Sequence, residues 1–167
     1  MIARLERFPV ALRAAVAIVS GEDVRFKPAP EHWSILEICC HLLDEEREDF
    51  SARVFSTLAD PTRAWADLNH DRVAERRGYN ARELAPTLDA FEVERAASVK
   101  RLRAMCDPVW ETTYHHPKFG PLRAGDLMVS WAAHDALHLR QIAKRIYNLT
   151  QRDARGFRLD YAGDWTA

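Results

Sequence analysis

The sequence predicts an all-α fold, a four-helix bundle with a long crossover between its second and third helices. Three observations carry that expectation. Four long segments place apolar residues three and four apart, the period of a helix with one buried face. No stretch alternates apolar and polar residues as a strand would. Proline, glycine and aspartate gather in the connections between the four segments. With 167 residues the chain amounts to one domain, long enough to bury a core without disulfides or oligomerisation. Its 47% hydrophobic and 29% charged content excludes a disordered chain.

The first helix places Ile2, Leu5, Leu12, Val16 and Val19 on one face. Its stretch from Pro9 to Val19 looks a little like a secretory signal core, but Glu6 and Arg13 spoil that reading. Gly21, Pro28 and Pro30 mark residues 20–31 as a loop. The second helix opens at Ser34, where Ser34 and Glu37 have capping-box spacing and Trp33 and Ile38 the spacing of a hydrophobic staple. It is expected to run as one helix to about Leu58, with Asp60 and Pro61 ending it.

Residues 59–79 are polar and read as the crossover, with a short helix expected around Ala64 to Arg76. A third helix is expected from Asn80, with Glu83 as its box partner and Tyr79 against Leu84 as a second staple. Pro86 would delay its regular part. Its stripe is Leu88, Phe91, Leu102 and Met105; Arg95 falls on that stripe too, four from Phe91 and seven from Leu102. It reads as a buried ion-pair partner or, with a slight rotation of the helix, as a rim residue, and the rim is the expectation. Residues 106–123 form another connection, rich in proline. The fourth helix runs from about Ala124 to Leu149 with Leu127, Trp131, Ile142 and Ile146 inward. The domain therefore spans 1–150, and residues 151–167 are a C-terminal tail that packs on the bundle or frays.

Charge and cysteine usage narrow the function classes. Twenty-four basic residues against twenty-five acidic ones, a formal charge of -1, supply no field to gather nucleic acid or an anionic membrane. No run of about 18 apolar residues exists to span a bilayer. The three cysteines include the adjacent pair Cys39 and Cys40, which is neither a disulfide framework nor a zinc-knuckle spacing, and suits a reducing cytoplasm.

The chemistry concentrates in the histidines. His134 and His138 are four apart, stacked on the face that also carries Leu127, Trp131 and Ile142. Two imidazoles on one helical face can chelate a transition metal, although no Glu lies between them and the zinc-protease H-E-x-x-H motif is absent. Taken alone, the pair is read equally well as two partly buried histidines bonded to their neighbours. His41, seven residues past Ser34, shares a face with Ile38 and Glu45 and completes a potential three-histidine set drawn from two helices. Asp44, Glu45 and Glu48 follow it. Glu45 is the candidate proton acceptor outside the coordination sphere, and most of these acids read as a solvated face. His32, His70, His115 and His116 fall in predicted loops and read as surface residues, with the last two near the site entrance. Cys39 and Cys40 read as core packing.

The blocks HWSILEICCHLLDEE and HPKFGPLRAGDLMVSWAAHDALHLRQI, in that order, resemble the DinB superfamily, also called the DinB/YfiT-like metalloenzymes, over nearly the whole chain. The resemblance implies a four-helix bundle, often dimeric, with a divalent metal held by His41, His134 and His138, zinc or nickel being the first expectations. It implies a divalent-metal-dependent enzyme acting on a small molecule, either a hydrolase or a transferase using a low-molecular-weight thiol. The alternative is a non-catalytic bundle that binds metal or a small ligand as sensor, store or structural module. The chain departs from the family where a threonine commonly follows the glycine turn: Arg123 and Ala124 stand there, so the last helix needs another cap. An isologous homodimer through exposed bundle faces is the expected assembly.

Overall fold

The computed structural model describes residues 1–165. Helix α1, Ile2–Val16, buries Leu5, Phe8, Leu12 and Val16. Helix α2, Ile35–Glu48, starts where the capping box predicts it. Ser34 Oγ accepts from the Glu37 N–H at 3.1 Å, and the Glu37 carboxylate accepts from the Ser34 N–H at 2.8 Å. Both are donors that the first turn would otherwise leave unpaired. The Ser34 hydroxyl also donates to Asn80 Oδ1 at 2.7 Å, tying the start of α2 to the crossover. Ser34→Ala is expected to cost about 1–2 kcal/mol, the upper part of the capping range. Thermal melting should register that as a fall of about 2–8 °C in Tm.

The second helix is not continuous. It breaks at Asp49 (φ -111°, ψ -95°) and resumes as α3, Phe50–Ala59, with neither proline nor glycine at the break to announce it. The crossover holds only a single helical turn, α4 (Val73–Arg76), and a 3-10 turn at Tyr79–Ala81. The expected start of the third helix at Asn80 is corrected. Asn80 is engaged with Ser34 and with the Arg25 carbonyl, and α5 runs Leu84–Arg103 with Glu83 preceding it. Tyr79, expected as a staple against Leu84, is fully buried in a cluster on which Leu84 packs, and it donates its hydroxyl to Asp44 at 2.5 Å. A second correction concerns strands. Thr113–His116 (β1) and Gly120–Arg123 (β2) form an antiparallel hairpin, Thr113 opposite Arg123 and His116 opposite Gly120. Its strands are too short for alternation to show in the sequence, and Gly120, at φ +73°, lets the chain turn back.

Helix α6, Ala124–Asp153, is the longest. In place of a threonine cap, the Ala124 and Gly125 N–H groups donate to the Thr112 and Trp110 carbonyls at 2.8 and 2.9 Å, and the Asp126 carboxylate accepts the Arg123 backbone N–H at 3.0 Å and the Arg123 side chain at 2.8 and 3.0 Å. Gly125 lies against Trp110, whose carbonyl would stand 3.3 Å from an added Cβ, so a larger residue here would push Trp110 back by a few tenths of an ångström. Beyond α6 the chain makes a 3-10 turn at Asp160–Ala162, and residues 166–167 of the expected tail lie outside the described residues. No helix among the described residues is long and apolar enough to cross a membrane.

The principal helix contacts are α1 and α2 with α5 and α3 with α6; α1 and α2 also each meet α6, which sets α1 and α2 on opposite corners of the bundle. Two apolar clusters fill it. One gathers Phe8, Leu12, Ile38, Leu42, Phe91 and Ile142; the other Leu5, Val54, Phe55, Val99, Leu127 and Trp131. Between them lies a polar layer, and here the expected rim position of Arg95 is corrected: Arg95 is 2% exposed. Its guanidinium donates to Asp135 at 2.7 and 2.9 Å, to Glu46 at 2.8 Å, and to the Leu5 carbonyl at 3.1 Å. Pro9 lies inside α1 and has no N–H to return to that carbonyl four residues back, so Arg95 satisfies it instead. Trp131 Nε1 also donates to Glu46 at 3.1 Å. One guanidinium thus contacts three other helices. The desolvation that makes buried charge costly is offset only because two carboxylates meet it.

Candidate metal centre

Helical phase brings the three expected ligands together. The capping box fixes the first turn of α2 and so sets where His41 points two turns later. His134 and His138 lie one turn apart on α6. Their ligand nitrogens and one from His41 all fall within 4.8 Å of one another. Ring centroids are 4.8 Å apart for His41 and His138, 5.4 Å for His41 and His134, and 4.3 Å for His134 and His138. His134 Nε2 and His138 Nε2 face each other at 3.0 Å. Two nitrogens on one tetrahedral metal at ordinary bond lengths stand about 3.3 Å apart, so this spacing is close to a chelating one.

Each imidazole is oriented by something else. His138 Nδ1 bonds Gln141 Oε1 at 2.8 Å, one turn on along α6, which makes Nδ1 the donor and leaves Nε2 its lone pair. His41 Nδ1 lies 3.6 Å from Glu45 Oε1, beyond a direct hydrogen bond. Trp33 packs on His41 with centroids 4.7 Å apart, and Phe50 packs on His134 at 4.9 Å. The break at Asp49 begins a new helix at Phe50, and Arg145 of α6 donates to the Trp33 carbonyl at 2.6 Å. Both aromatic walls are therefore anchored by the same elements that carry the ligands.

This burial decides the protonation state. It lowers His41 to about 2, helped by the charges His138 and His134 would carry, and His134 to about 3; it lowers His138 as well. All three imidazoles are neutral at physiological pH and offer lone pairs. Three neutral nitrogen donors from two facing helices, in a dry and rigid setting, fit a borderline transition metal such as zinc, nickel or iron(II), and leave coordination positions free.

The acids that follow His41 need correction. They are not a solvated face: Asp44, Glu45, Glu46 and Asp49 are buried, and only Glu48 is exposed. Arg77 from the crossover bonds Asp44 at 2.6 Å and Glu48 at 2.7 and 2.8 Å. Glu45 lies where it was expected, one turn past His41, and burial, with the neighbouring Asp49 charge, pushes its carboxyl up to about 8. His70 is exposed, as a loop residue should be, yet its Nδ1 lies 3.6 Å from the Glu45 carboxylate. Sequence reasoning left that contact out because nothing local marks it. His116 accepts the backbone N–H groups of Lys118 and Phe119 and packs by Trp65, which stacks on Tyr114 at 3.9 Å. His116 thus serves its own hairpin. Cys39 and Cys40 are buried, the Cys40 thiol pushed up to about 11 by burial, and both are packing residues.

With that geometry in place, three comparisons bear on the chain. The family model of the DinB superfamily matches residues 4–142. No curated protein matches. Among solved structures, YfiT from Bacillus subtilis, described as a probable metal-dependent hydrolase with an unusual four-helix bundle topology, superposes with a TM-score of 0.78. The match has 17% identity over 92% of this chain and 85% of that one. At that identity the likeness shows the four-helix bundle fold.

Proposed function

The chain belongs to the DinB superfamily, and from that premise we propose that it is a divalent-metal-dependent enzyme acting on a small molecule. The reaction class is hydrolysis or the addition of a low-molecular-weight thiol to an electrophile. The observation that carries the proposal is the set of three neutral imidazoles within 4.8 Å of one another. A set of three protein ligands is characteristic of catalytic rather than closed structural sites. When bound, the metal lowers the pKa of a water or thiol towards neutrality and so supplies a nucleophile without a strong protein base.

The chain's own residues do the rest. His41, His134 and His138 hold the metal, and Gln141 fixes the tautomer of His138. Trp33 and Phe50 exclude water from two sides. Glu45, one turn from His41, is the carboxylate placed to take the proton that the nucleophile releases. The likeness to YfiT, a probable metal-dependent hydrolase, supports the hydrolytic branch, and the resemblance to thiol-using relatives supports the other.

The test is elemental analysis of untagged protein beside His41→Ala and His134→Ala. The same preparations are assayed for ester and amide hydrolysis and for conjugation of small thiols to electrophiles. One tightly held transition metal per chain, absent from both variants, with turnover that disappears alongside it, is the expected result. Metal without turnover in either assay would favour the non-catalytic bundle. No metal after reconstitution with zinc, nickel or manganese would sink both.

A further inference from the structure

One acid in the stretch 44–49 stands apart. Asp44 and Glu48 share Arg77, Glu46 has Arg95, and Asp49 has Arg53 at 3.2 Å. Glu45 alone has no arginine or lysine partner among the described residues, although it is only 9% exposed. Its carboxylate accepts no hydrogen bond there and faces two imidazole nitrogens, His41 Nδ1 and His70 Nδ1, each at 3.6 Å. A buried carboxylate without a partner is costly, and the electrostatic demand at Glu45 is for a cation.

The surroundings are built to receive one. Ligand atoms of Glu45, Asp49 and His70 all lie within 4.8 Å of one another. A cavity of about 20 Å³ opens beside them, lined in part by His41, Glu45, Asn69 and His70, with room for about one water or ion. Glu45 and Asp49 are four apart on α2 and its break, so both carboxylates share a face with His41. His70 is presented from the crossover by a braced turn. Asn69 Oδ1 accepts the Asp71 N–H at 2.9 Å, and the Arg76 side chain donates to the carbonyls of Asn69 and Asp71.

We propose that Glu45, Asp49 and His70 form a second divalent-cation site, one helical turn along α2 from the three-histidine site. Two carboxylates and one imidazole suit a harder ion than three imidazoles do, and manganese(II) or iron(II) fits that donor set. Binding displaces Arg53 as the partner of Asp49 and pins the crossover to α2 through His70. This site stands or falls separately from the three-histidine site, because none of its ligands is one of the three histidines; Glu45 is the one residue it shares with the proposed mechanism, as a ligand here in place of a free proton acceptor.

Titration with manganese(II) tests it, with free hexaaqua ion followed by electron paramagnetic resonance. Wild-type protein already holding its purified metal is expected to bind one further equivalent. His134→Ala, which lacks the three-histidine site, is expected to bind one as well. His70→Ala and Asp49→Asn should each weaken that equivalent by tenfold or more, with far-ultraviolet circular dichroism unchanged. No further equivalent in wild type, or an equivalent unaffected by either variant, would overturn the proposal. Failure of the three-histidine reading has a different signature, namely wild type and His134→Ala carrying the same metal as purified.

Discussion

Replacing His138 with alanine is expected to abolish stoichiometric metal binding at the three-histidine site while leaving the helices in place. His138 is the ligand that the structure orients most firmly, through Gln141 at 2.8 Å, and it faces His134 at 3.0 Å. Loss of an orienting partner alone typically weakens a metal site 10–100-fold, so loss of the ligand itself should exceed about 100-fold. Stability gives the clearest reading. Metal at about 1,000 times its Kd stabilises a folded binder by about 4 kcal/mol. For a chain of this length that is a rise in Tm of about 8–16 °C. Wild type should show that rise on adding zinc or nickel, and His138→Ala should lose most of it, keeping at most the smaller rise due to an ion at Glu45, Asp49 and His70. A variant whose Tm climbs with metal as far as wild type does would show that the main ion is held elsewhere.

Arg95→Met should be the most destabilising single substitution away from the site. It leaves Glu46 and Asp135 buried with their charges unmatched, and leaves the Leu5 carbonyl without its donor. Breaking a buried pair in this way costs about 3–5 kcal/mol, or about 6–20 °C in Tm. Arg95→Lys should rescue little, since an ammonium cannot reproduce the fork that grips both oxygens of Asp135. Arg95→Met combined with Glu46→Leu and Asp135→Asn should recover much of the loss, because the penalty lies in the stranded charges rather than in the missing attraction. A thermal melt of Arg95→Met within 2 °C of wild type would show that water reaches the layer and solvates it.

Much of this architecture was legible because its signals are local. The Ser34–Glu37 box, the proline-rich connections and the four-residue spacing of His134 and His138 all act within one or two turns. Features that depend on distant partners were not legible. Arg95 was placed at the rim because burying a guanidinium requires Glu46 and Asp135, 49 and 40 residues away, and periodicity along one helix says nothing of a facing one. Glu45 was found by its distance from His41, whereas His70 was not found, because a crossover with no regular structure brings it there. Asn80 was misread for a related reason. Its spacing suited a helix start, but the hydroxyl of Ser34 and the carbonyl of Arg25 compete for its side chain. The hairpin at 113–123 was missed because each strand is only four residues long.

The polar layer also bears on the rates at which the chain gains and loses its structure. Arg95 finds its acceptors only after α1, α2, α5 and α6 have all arrived, because each supplies a different part of the cluster. Before then the guanidinium and both carboxylates remain hydrated, and the apolar residues on either side can collapse without them. Interactions completed after the folding barrier act mainly by slowing escape from the native state, and a cluster drawn from four helices is placed to be one of them. The layer is therefore a brake on unfolding, set at the middle of the bundle by a proline in one helix and an arginine in another.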